Sequence, residues 1–154
     1  MRVRAVIQRV STAAVAVGER TVGRIDRGLL ALVGVERGDG PADVEYIAGK
    51  IRDVRVFEDA ADPAKHLNRS VQDVGGAVLV VSQFTVAADC RKGRRPAFDD
   101  AAPPEVAKPL YENVVNALKA SGLPVATGEF QAPMQVSLVN DGPVTVLLDS
   151  RRRF

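Results

Sequence analysis

The sequence is poor in the residues that build the most familiar catalytic sites. It contains one cysteine, Cys90, and one histidine, His66. A single cysteine cannot form an internal disulfide, and no residues have the spacing of a zinc site, so the chain fits a reducing compartment. A Ser-His-Asp triad or a cysteine nucleophile would each need His66, which lies in a polar stretch typical of a surface. Phosphate-binding and dinucleotide motifs are also missing, and we expect no cofactor and no metal.

Long apolar runs are missing too. No stretch approaches the roughly 20 apolar residues of a membrane span, and the N-terminus contains no apolar run of signal-peptide length. We therefore expect a cytoplasmic protein with no membrane association. The 154 residues have the size of one ordinary domain, without a repeat, a low-complexity tract or a linker. The expectation is a single domain over residues 1–154.

The chain also has no large excess of charge of either sign, since its formal net charge is +2. A whole-molecule field therefore does not attract nucleic acid, but the basic residues are unevenly distributed. They form two clusters: Arg91, Lys92, Arg94 and Arg95, and Arg151, Arg152 and Arg153. Such clusters attract phosphate. From charge alone, a solvated face and a solubilising tail are the more common explanation.

The hydrophobic pattern predicts a chain made mostly of strands. Val3, Ala5 and Ile7 alternate with polar residues, which is the period of a half-buried strand. The nearly continuous apolar runs 29–35 and 77–84 are typical of strands buried on both faces. In total we expect nine strands: 2–8, 13–17, 21–25, 29–35, 54–57, 77–84, 125–130, 134–139 and 144–148.

Two segments have the apolar spacing of helices, residues 42–53 and residues 105–120. The stripe of the second consists of Val106, Leu110, Val114 and Leu118. Pro109 interrupts this segment, so the helix should begin later or kink there. Two separated helices are too few for a doubly wound parallel sheet. The expected class is α+β, with a mostly antiparallel, barrel-like β core and two packed helices.

Two polar segments lie next to apolar strands. Residues 82–88 (Ser-Gln-Phe-Thr-Val-Ala-Ala) put three hydrogen-bonding side chains at the end of a buried strand, where each needs a partner. They are either a strand turning polar as it leaves the core or a site that the sheet holds in place. Residues 140–145 (Asn-Asp-Gly-Pro-Val-Thr) suit a hairpin turn between two strands. The Gly-Pro bond can be cis, although only about 5–6% of X-Pro bonds are.

Both segments resemble motifs of the D-aminoacyl-tRNA deacylase family. Residues 82–88 resemble its Ser-Gln-Phe-Thr-x-x-Ala motif, and residues 140–145 resemble its Asn-x-Gly-Pro-x-Thr motif. Further matches, in chain order, are Gln8-Arg9-Val10, residues 68–76, the basic run 91–96 and Met134. The resemblance covers essentially the whole chain. Gln131 departs from it, because the family usually has glycine there, and the tail 151–154 looks peculiar to this chain.

The resemblance implies a hydrolase that cleaves the ester bond of D-aminoacyl-tRNA, and of some glycyl-tRNA, and rejects L-aminoacyl-tRNA. This activity would be chiral proofreading in translation. The resemblance also implies a barrel-like fold and a homodimer with active sites near the subunit interface, and it implies no metal. In the family the Gly-Pro bond is cis and is inserted into the active site of the other subunit, which carries over to Gly142 and Pro143.

The resemblance assigns roles to three groups of residues. The candidate catalytic residues are Ser82, Gln83, Phe84 and Thr85. The candidates for substrate binding and chiral selection are Gly142, Pro143, Met134 and Arg9. The candidates for binding the acceptor end of tRNA are Arg91, Lys92, Arg94 and Arg95.

An aminoacyl ester is an activated substrate, so positioning a water and stabilising the oxyanion can suffice. The preferred mechanism uses backbone N–H groups around Phe84 and Thr85 to hold the carbonyl, while the ribose 2′-hydroxyl helps to activate water. Two alternatives stay open for Thr85: it is a nucleophile, which requires a base, or it only hydrogen-bonds the strand end. Chiral selection requires a rigid wall near the α-carbon, and a cis Gly-Pro supplies main-chain atoms for one.

Two other classes of protein also fit the sequence. One is a non-catalytic tRNA-binding module, and the other is an esterase or peptidase for small D-amino-acid compounds. Only a deacylase requires D chirality and intact tRNA together.

Overall fold

A long N-terminal strand is the central element of the fold. A computed structural model describes residues 3–154, so Met1 and Arg2, which the predicted first strand and domain include, lie outside the described residues. Strand β1 (Arg4–Val17) pairs antiparallel with β2 (Arg20–Ile25) through its C-terminal part and with β3 (Gly28–Gly34) through its N-terminal part. Along its other edge β1 pairs antiparallel with β6 (Gln135–Asp149).

Two parallel pairings continue the sheet. Strand β4 (Ala77–Ser82) lies parallel to β3, and β5 (Val125–Thr127) lies parallel to β4. The sheet then curls back, because β5 lies against β2: a Cβ on Gly23 would overlap the carbonyl oxygen of Thr127. The result is a nearly closed barrel in which three of the five pairings are antiparallel. This confirms the predicted α+β class with a barrel-like core.

The core forms two layers because β3 and β4 are buried on both faces. Leu29 and Val78 point towards the two helices, whereas Leu30 and Leu79 point into the barrel. The helices are α1 (Pro41–Asp53) and α2 (Pro104–Ala120), and they pack against each other and against the sheet. None of the described helices is long and apolar enough to span a membrane.

The structure has six strands among the described residues, where the sequence pattern predicts nine. The predicted strands 2–8 and 13–17 are one strand, β1, and 134–139 and 144–148 are likewise one strand, β6. Pairing between these two long strands keeps each of them continuous through the segment that looked like a turn. Residues 54–57 form only an isolated bridge, between Phe57 and Arg69.

The second helix also differs from its prediction. It begins at Pro104 and runs through Pro109. Its buried face consists of Tyr111, Val114, Val115 and Leu118, whereas Val106 is 41% exposed. The predicted stripe was therefore wrong at its N-terminal end, because the first turn of α2, residues 104–106, is exposed instead of packed against the core.

Candidate active site

A cavity of about 660 Å³, called here the first cavity, opens at the C-terminal end of β4. The strand ends at Ser82, and the chain then forms a 3-10 turn over Phe84–Ala87. The N–H of Gln83 donates to the carbonyl of Val33 (2.8 Å), so the sheet still holds the backbone at the point where the turn begins. Ser82, Gln83, Phe84 and Thr85 all line the first cavity.

The other walls of the first cavity are mostly apolar. They come from Phe98, from the segment 101–104 that leads into α2, and from the loop 130–134. The rings of Phe84 and Phe98 meet edge to face with centroids 5.1 Å apart. The size and lining suit a small organic group with a few polar contacts at one end.

A buried tyrosine supports one wall of this cavity. The hydroxyl of Tyr111 donates to the carbonyl of Val80 in β4 (3.0 Å), and its ring stacks on Phe130 at 6.0 Å. Burial raises the pKa of Tyr111 to about 12, with a smaller contribution from Glu112. The phenol therefore stays neutral at physiological pH, and it fixes Phe130 relative to the strand that carries the polar residues.

Thr85 has an amide as its hydrogen-bond partner. The Nε2 atom of Gln83 donates to Oγ1 of Thr85 at 2.9 Å. An amide is not a base at neutral pH, so this partner cannot activate the hydroxyl as a nucleophile. Among the residues that the structure describes, the lining of the first cavity includes no Asp, Glu, His, Cys, Lys, Arg or Tyr. Over the same part of the chain no group of three potential ligands is arranged to hold a metal ion.

Backbone N–H groups are the other polar feature at this end of the first cavity. Within the 3-10 turn the first N–H groups have no acceptor in the turn itself, and those of Phe84 and Thr85 occupy this position. The next one, the N–H of Val86, already donates to the carbonyl of Gln83 (3.2 Å). The turn therefore offers main-chain donors beside Thr85.

The second motif forms a bulge in β6 instead of the predicted hairpin turn. Gln8 pairs with Thr145 and Val10 pairs with Asn140, so the single residue Arg9 lies opposite residues 141–144. These four residues are called here the 141–144 bulge. The predicted turn was wrong because β1 continues to pair with β6 on both sides of the bulge.

Side chains fix the base of the 141–144 bulge. Oδ1 of Asn140 accepts from the N–H of Val144 (3.1 Å), and its Nδ2 donates to Oγ1 of Thr145 (3.2 Å). Arg9 lies beneath, with Nε donating to the carbonyl of Asp141 and Nη1 donating to the carbonyl of Val56 (2.7 Å). The polar residues on both sides of Gly142-Pro143 thus hold the base of the 141–144 bulge in place.

The tip of the bulge is presented to solvent. Gly142 and Pro143 are both exposed, and the peptide bond between them is cis. Gly142 has a φ of 131°, a conformation that side chains rarely allow. An added Cβ would lie 2.9 Å from Cγ2 of Val144 and 3.0 Å from Nη2 of Arg9.

The candidate catalytic and substrate-binding residues lie at two separate sites in the structure. The first cavity brings together Ser82, Gln83, Phe84, Thr85 and Met134. Three further candidates lie at the 141–144 bulge and do not line the first cavity of their own chain: Arg9, Gly142 and Pro143.

The basic cluster lies in an exposed bend that follows the 3-10 turn. The side chain of Arg91 forms two hydrogen bonds with Asp89, at 2.9 and 2.7 Å, and the backbone N–H of Arg91 donates a third at 3.0 Å. These bonds hold the pKa of Asp89 well below its usual range. The cluster is thus close in sequence to the first cavity, but one of its charges already has a carboxylate partner.

Two other sequence interpretations bear on the site. His66 is exposed, as the polar stretch around it indicates, and so is the thiol of Cys90. Gln131, which departs from the family pattern, has a φ of 62°. This is the left-handed region that glycine adopts most readily, so the wall of the first cavity keeps a glycine-like backbone without the glycine.

The sequence interpretation missed two walls of the first cavity, Phe98 and Phe130. A usable signal existed, since the chain contains only five phenylalanines. Three of them, including Phe84, line this one cavity.

The fold and the site together define a small barrel-like α+β protein with an apolar cavity at a polar strand end. The family model described as D-Tyr-tRNA(Tyr) deacylase matches residues 6–149, and the chain belongs to this family.

Curated relatives match along nearly the whole chain. The D-aminoacyl-tRNA deacylase of Syntrophotalea carbinolica is 58% identical over 151 residues, which are 98% of this chain and 99% of the relative. That of Thermosipho africanus is 55% identical over the same shares of the two chains.

Solved structures have the same fold. One described as a c-Myc DNA unwinding element binding protein has a TM-score of 0.88 at 39% identity, and the match covers 94% of this chain and 97% of that one. A probable eukaryotic D-amino acid tRNA deacylase has a TM-score of 0.79 at 18% identity, covering 97% of this chain and 100% of that one. The second likeness concerns the fold alone.

Proposed function

We propose that this protein is a hydrolase that cleaves the ester bond of D-aminoacyl-tRNA. The observation that carries the proposal is the first cavity, whose polar end is built from Ser82 to Thr85 in a chain of the deacylase family. The apolar walls suit the aminoacyl group, and the open mouth leaves room for the terminal ribose to enter with it.

Catalysis in this proposal relies on positioning. The substrate carbonyl binds the main-chain N–H groups of Phe84 and Thr85, which stabilise the negative charge that develops on its oxygen. The ribose 2′-hydroxyl orients the attacking water. Because the ester is already activated, this stabilisation suffices without a protein base.

The rival mechanism, with Thr85 as nucleophile, has less support. A threonine hydroxyl needs a base within hydrogen-bond reach, and its partner here is the Gln83 amide. In the proposed mechanism the Gln83–Thr85 bond keeps the turn in shape, and the hydroxyl gives up no proton to the protein.

Chiral selection in this proposal is performed by the 141–144 bulge of a second copy of the chain. Gly142 and Pro143 are exposed and held from below, yet they do not line their own first cavity. A bulge that enters the partner's cavity would present main-chain atoms, which are the same for every substrate and cannot rotate away. A wall of this kind close to the α-carbon excludes L side chains and admits D side chains.

A homodimer has support from the surface of β6. Among the described strands, β6 pairs with β1 alone, which leaves its other edge unpaired. Val139 and Leu147 on this strand are more than half exposed. Unpaired edges and exposed apolar side chains are typical of surfaces that another chain covers. The bulge lies on this same strand.

Glycine has no side chain for the wall to exclude, so we expect slow hydrolysis of glycyl-tRNA as well. The basic residues Arg91, Lys92, Arg94 and Arg95 would hold the acceptor end by phosphate contacts. In this role the protein acts in chiral proofreading during translation, and we expect it in the cytoplasm, where aminoacyl-tRNA is used.

The test is hydrolysis of matched D- and L-aminoacyl-tRNA by the purified protein. We expect turnover of the D-form, little or none of the L-form, and slower turnover of glycyl-tRNA. A tRNA-binding module would bind both forms and hydrolyse neither. An esterase for small compounds would hydrolyse D-amino-acid methyl esters as fast as D-aminoacyl-tRNA. Either result would exclude the proposed function.

A further inference from the structure

A second cavity, of about 540 Å³, lies beside the first one. Its wall begins at Ala87, the last residue of the 3-10 turn that borders the first cavity, and continues to Arg91. Unlike the first cavity, it is lined mainly by charged residues: Arg4, Glu36, Arg37, Asp89, Asp100 and Arg153.

Some of these charges are already paired. Arg4 lies 3.5 Å from Glu36, and Arg91 lies 2.7 Å from Asp89. Arg37 uses its Nε atom to donate to the carbonyl of Asp99 (2.9 Å). Among the described residues neither Arg37 nor Arg153 has a carboxylate within salt-bridge distance. The second cavity therefore presents the guanidinium groups of Arg37 and Arg153, both with N–H donors available for a ligand.

The C-terminal tail is fixed so that Arg153 reaches this cavity. The hydroxyl of Ser150 donates to Asp43 of α1 (2.7 Å), and Nε of Arg151 lies 3.3 Å from the same carboxylate. The guanidinium of Arg152 stacks over the ring of Tyr46, 5.4 Å from its centroid. With these three residues held on α1, the next one, Arg153, lines the second cavity.

We propose that the second cavity binds a backbone phosphate of the tRNA acceptor strand, and that the tail of this chain supplies Arg153 as one of its ligands. The inference rests on the proposed function. A guanidinium presents parallel donors that match phosphate oxygens. Because the two cavities share the 3-10 turn as a wall, a strand whose aminoacyl end occupies the first cavity has its backbone beside the second. The family match ends at residue 149, so Arg153 is an addition to the matched region.

The experiment compares wild type with Arg153→Ala in three assays: binding of uncharged tRNA at a series of salt concentrations, hydrolysis of D-aminoacyl-tRNA, and hydrolysis of D-aminoacyl-adenosine, which has no acceptor strand. We expect Arg153→Ala to lower the salt slope of tRNA binding by about one unit. It should lower kcat/KM for D-aminoacyl-tRNA about three- to tenfold and leave kcat/KM for D-aminoacyl-adenosine unchanged.

The matched control is Arg24→Ala. Arg24 is an exposed arginine of β2, and this part of β2 pairs with the C-terminal part of β1. Arg4, which lines the second cavity, lies at the N-terminal end of β1. The same charge is thus removed roughly 30 Å away along the strand. We expect no change in the salt slope from this variant.

Several results would overturn the phosphate site. They are an unchanged slope in Arg153→Ala, an equal loss in Arg24→Ala, or an equal loss with D-aminoacyl-adenosine. If wild type hydrolyses neither substrate, the proposed function fails, and the tRNA-binding slopes still decide the phosphate site.

Discussion

The guanidinium of Arg9 donates to the backbone carbonyl of Asp141 at 3.0 Å, directly beneath the exposed Gly142–Pro143 tip. A second donor of the same side chain bonds to the carbonyl of Val56, and Arg9 is only 8% exposed. One buried side chain therefore joins the 141–144 bulge to a loop that follows α1. The position of the bulge depends on this link.

Replacement of Arg9 by methionine keeps an unbranched side chain and removes both hydrogen bonds. We expect the free energy of unfolding to fall by about 1–3 kcal/mol, because a buried carbonyl loses its donor. Hydrolysis of D-aminoacyl-tRNA should fall as well, because the bulge loses its support. Urea denaturation and kcat/KM measure the two effects, with Arg24→Met as the exposed control. Unchanged stability and activity would show that Asn140 and Thr145 hold the bulge alone.

Replacement of Thr85 by alanine removes the hydroxyl that accepts from Gln83. If main-chain donors and the ribose perform the chemistry, kcat should fall by less than about tenfold, the effect of perturbing one neutral hydrogen bond. If Thr85 is the nucleophile, activity should collapse by orders of magnitude. Rapid quenching of wild type with labelled D-aminoacyl-tRNA distinguishes these cases, and a trapped ester on Thr85 would disprove the proposed mechanism.

Replacement of Gly142 by alanine places a Cβ against Val144 and Arg9 at the tip of the bulge. Since φ is 131° there, the backbone must also shift. We expect kcat/KM for D-aminoacyl-tRNA to fall at least about tenfold, the loss that a 1.4 kcal/mol change gives. The control is Gly18→Ala, which has a φ of 59° and nothing within 4 Å. An active Gly142→Ala enzyme that still rejects L-aminoacyl-tRNA would remove the bulge from chiral selection.

Neutralising Lys92 and Arg94 together tests the basic cluster. They are the better choice for this test because Arg91 already bonds to Asp89, so its removal would also free a carboxylate. We expect the salt slope of tRNA binding to fall by about two units if each residue contacts one phosphate. The control is the double variant Arg55→Ala with Lys119→Ala, which removes the same charge from two exposed residues that have no carboxylate within salt-bridge distance in the described part of the chain. An unchanged slope in the cluster variant would assign these residues to solubility.

Asp39 should make stability depend on pH. Burial raises the pKa of Asp39 to about 7, and the carboxylates of Asp43 and Glu36 add to the rise, while the bond from the Glu36 N–H opposes it. Between the ordinary value of 3.8 and about 7 the folded protein holds a proton that the unfolded chain releases. Stability therefore falls as pH rises through this window.

The corresponding variant is Asp39→Asn, which cannot ionise. We expect its Tm to exceed that of wild type at pH 8 by about 2–4 °C, the shift that roughly 1 kcal/mol gives in a domain of this size. The difference should vanish near pH 4. Melting curves across this range measure it, with the exposed Asp26→Asn as control. A constant difference at every pH would mean that the change acts through packing instead of ionisation.

Much of the fold could be predicted from the pattern of side chains. The apolar runs that became β3 and β4 are buried on both faces, and both helices lie where their spacing indicates. These features are local, because the spacing of apolar residues within a short segment depends on whether one face or both faces of the element are buried. The predicted number of strands was wrong for β1 and β6, because each of these strands stays continuous only through its pairing with the other.

The candidate site was predictable to a similar extent. Both motifs were recognisable, and the polar strand end at Ser82 does border a cavity. The aromatic walls were not predictable, because Phe98 and Phe130 come from distant loops with no shared period. The link that Arg9 makes between the 141–144 bulge and Val56 was not predictable either, since its acceptors lie 132 and 47 residues away in the chain.

By itself the sequence determined which apolar runs are the buried strands, where the two helices lie, and which two segments are the family motifs. Each of these features can be read from residues that are close together in the chain. Only the tertiary structure decided that residues 140–145 form a clamped bulge instead of a turn. The reason is that β1 and β6 pair on both sides of Arg9, and a pairing between residues about 130 positions apart in the chain leaves no periodic pattern in either strand.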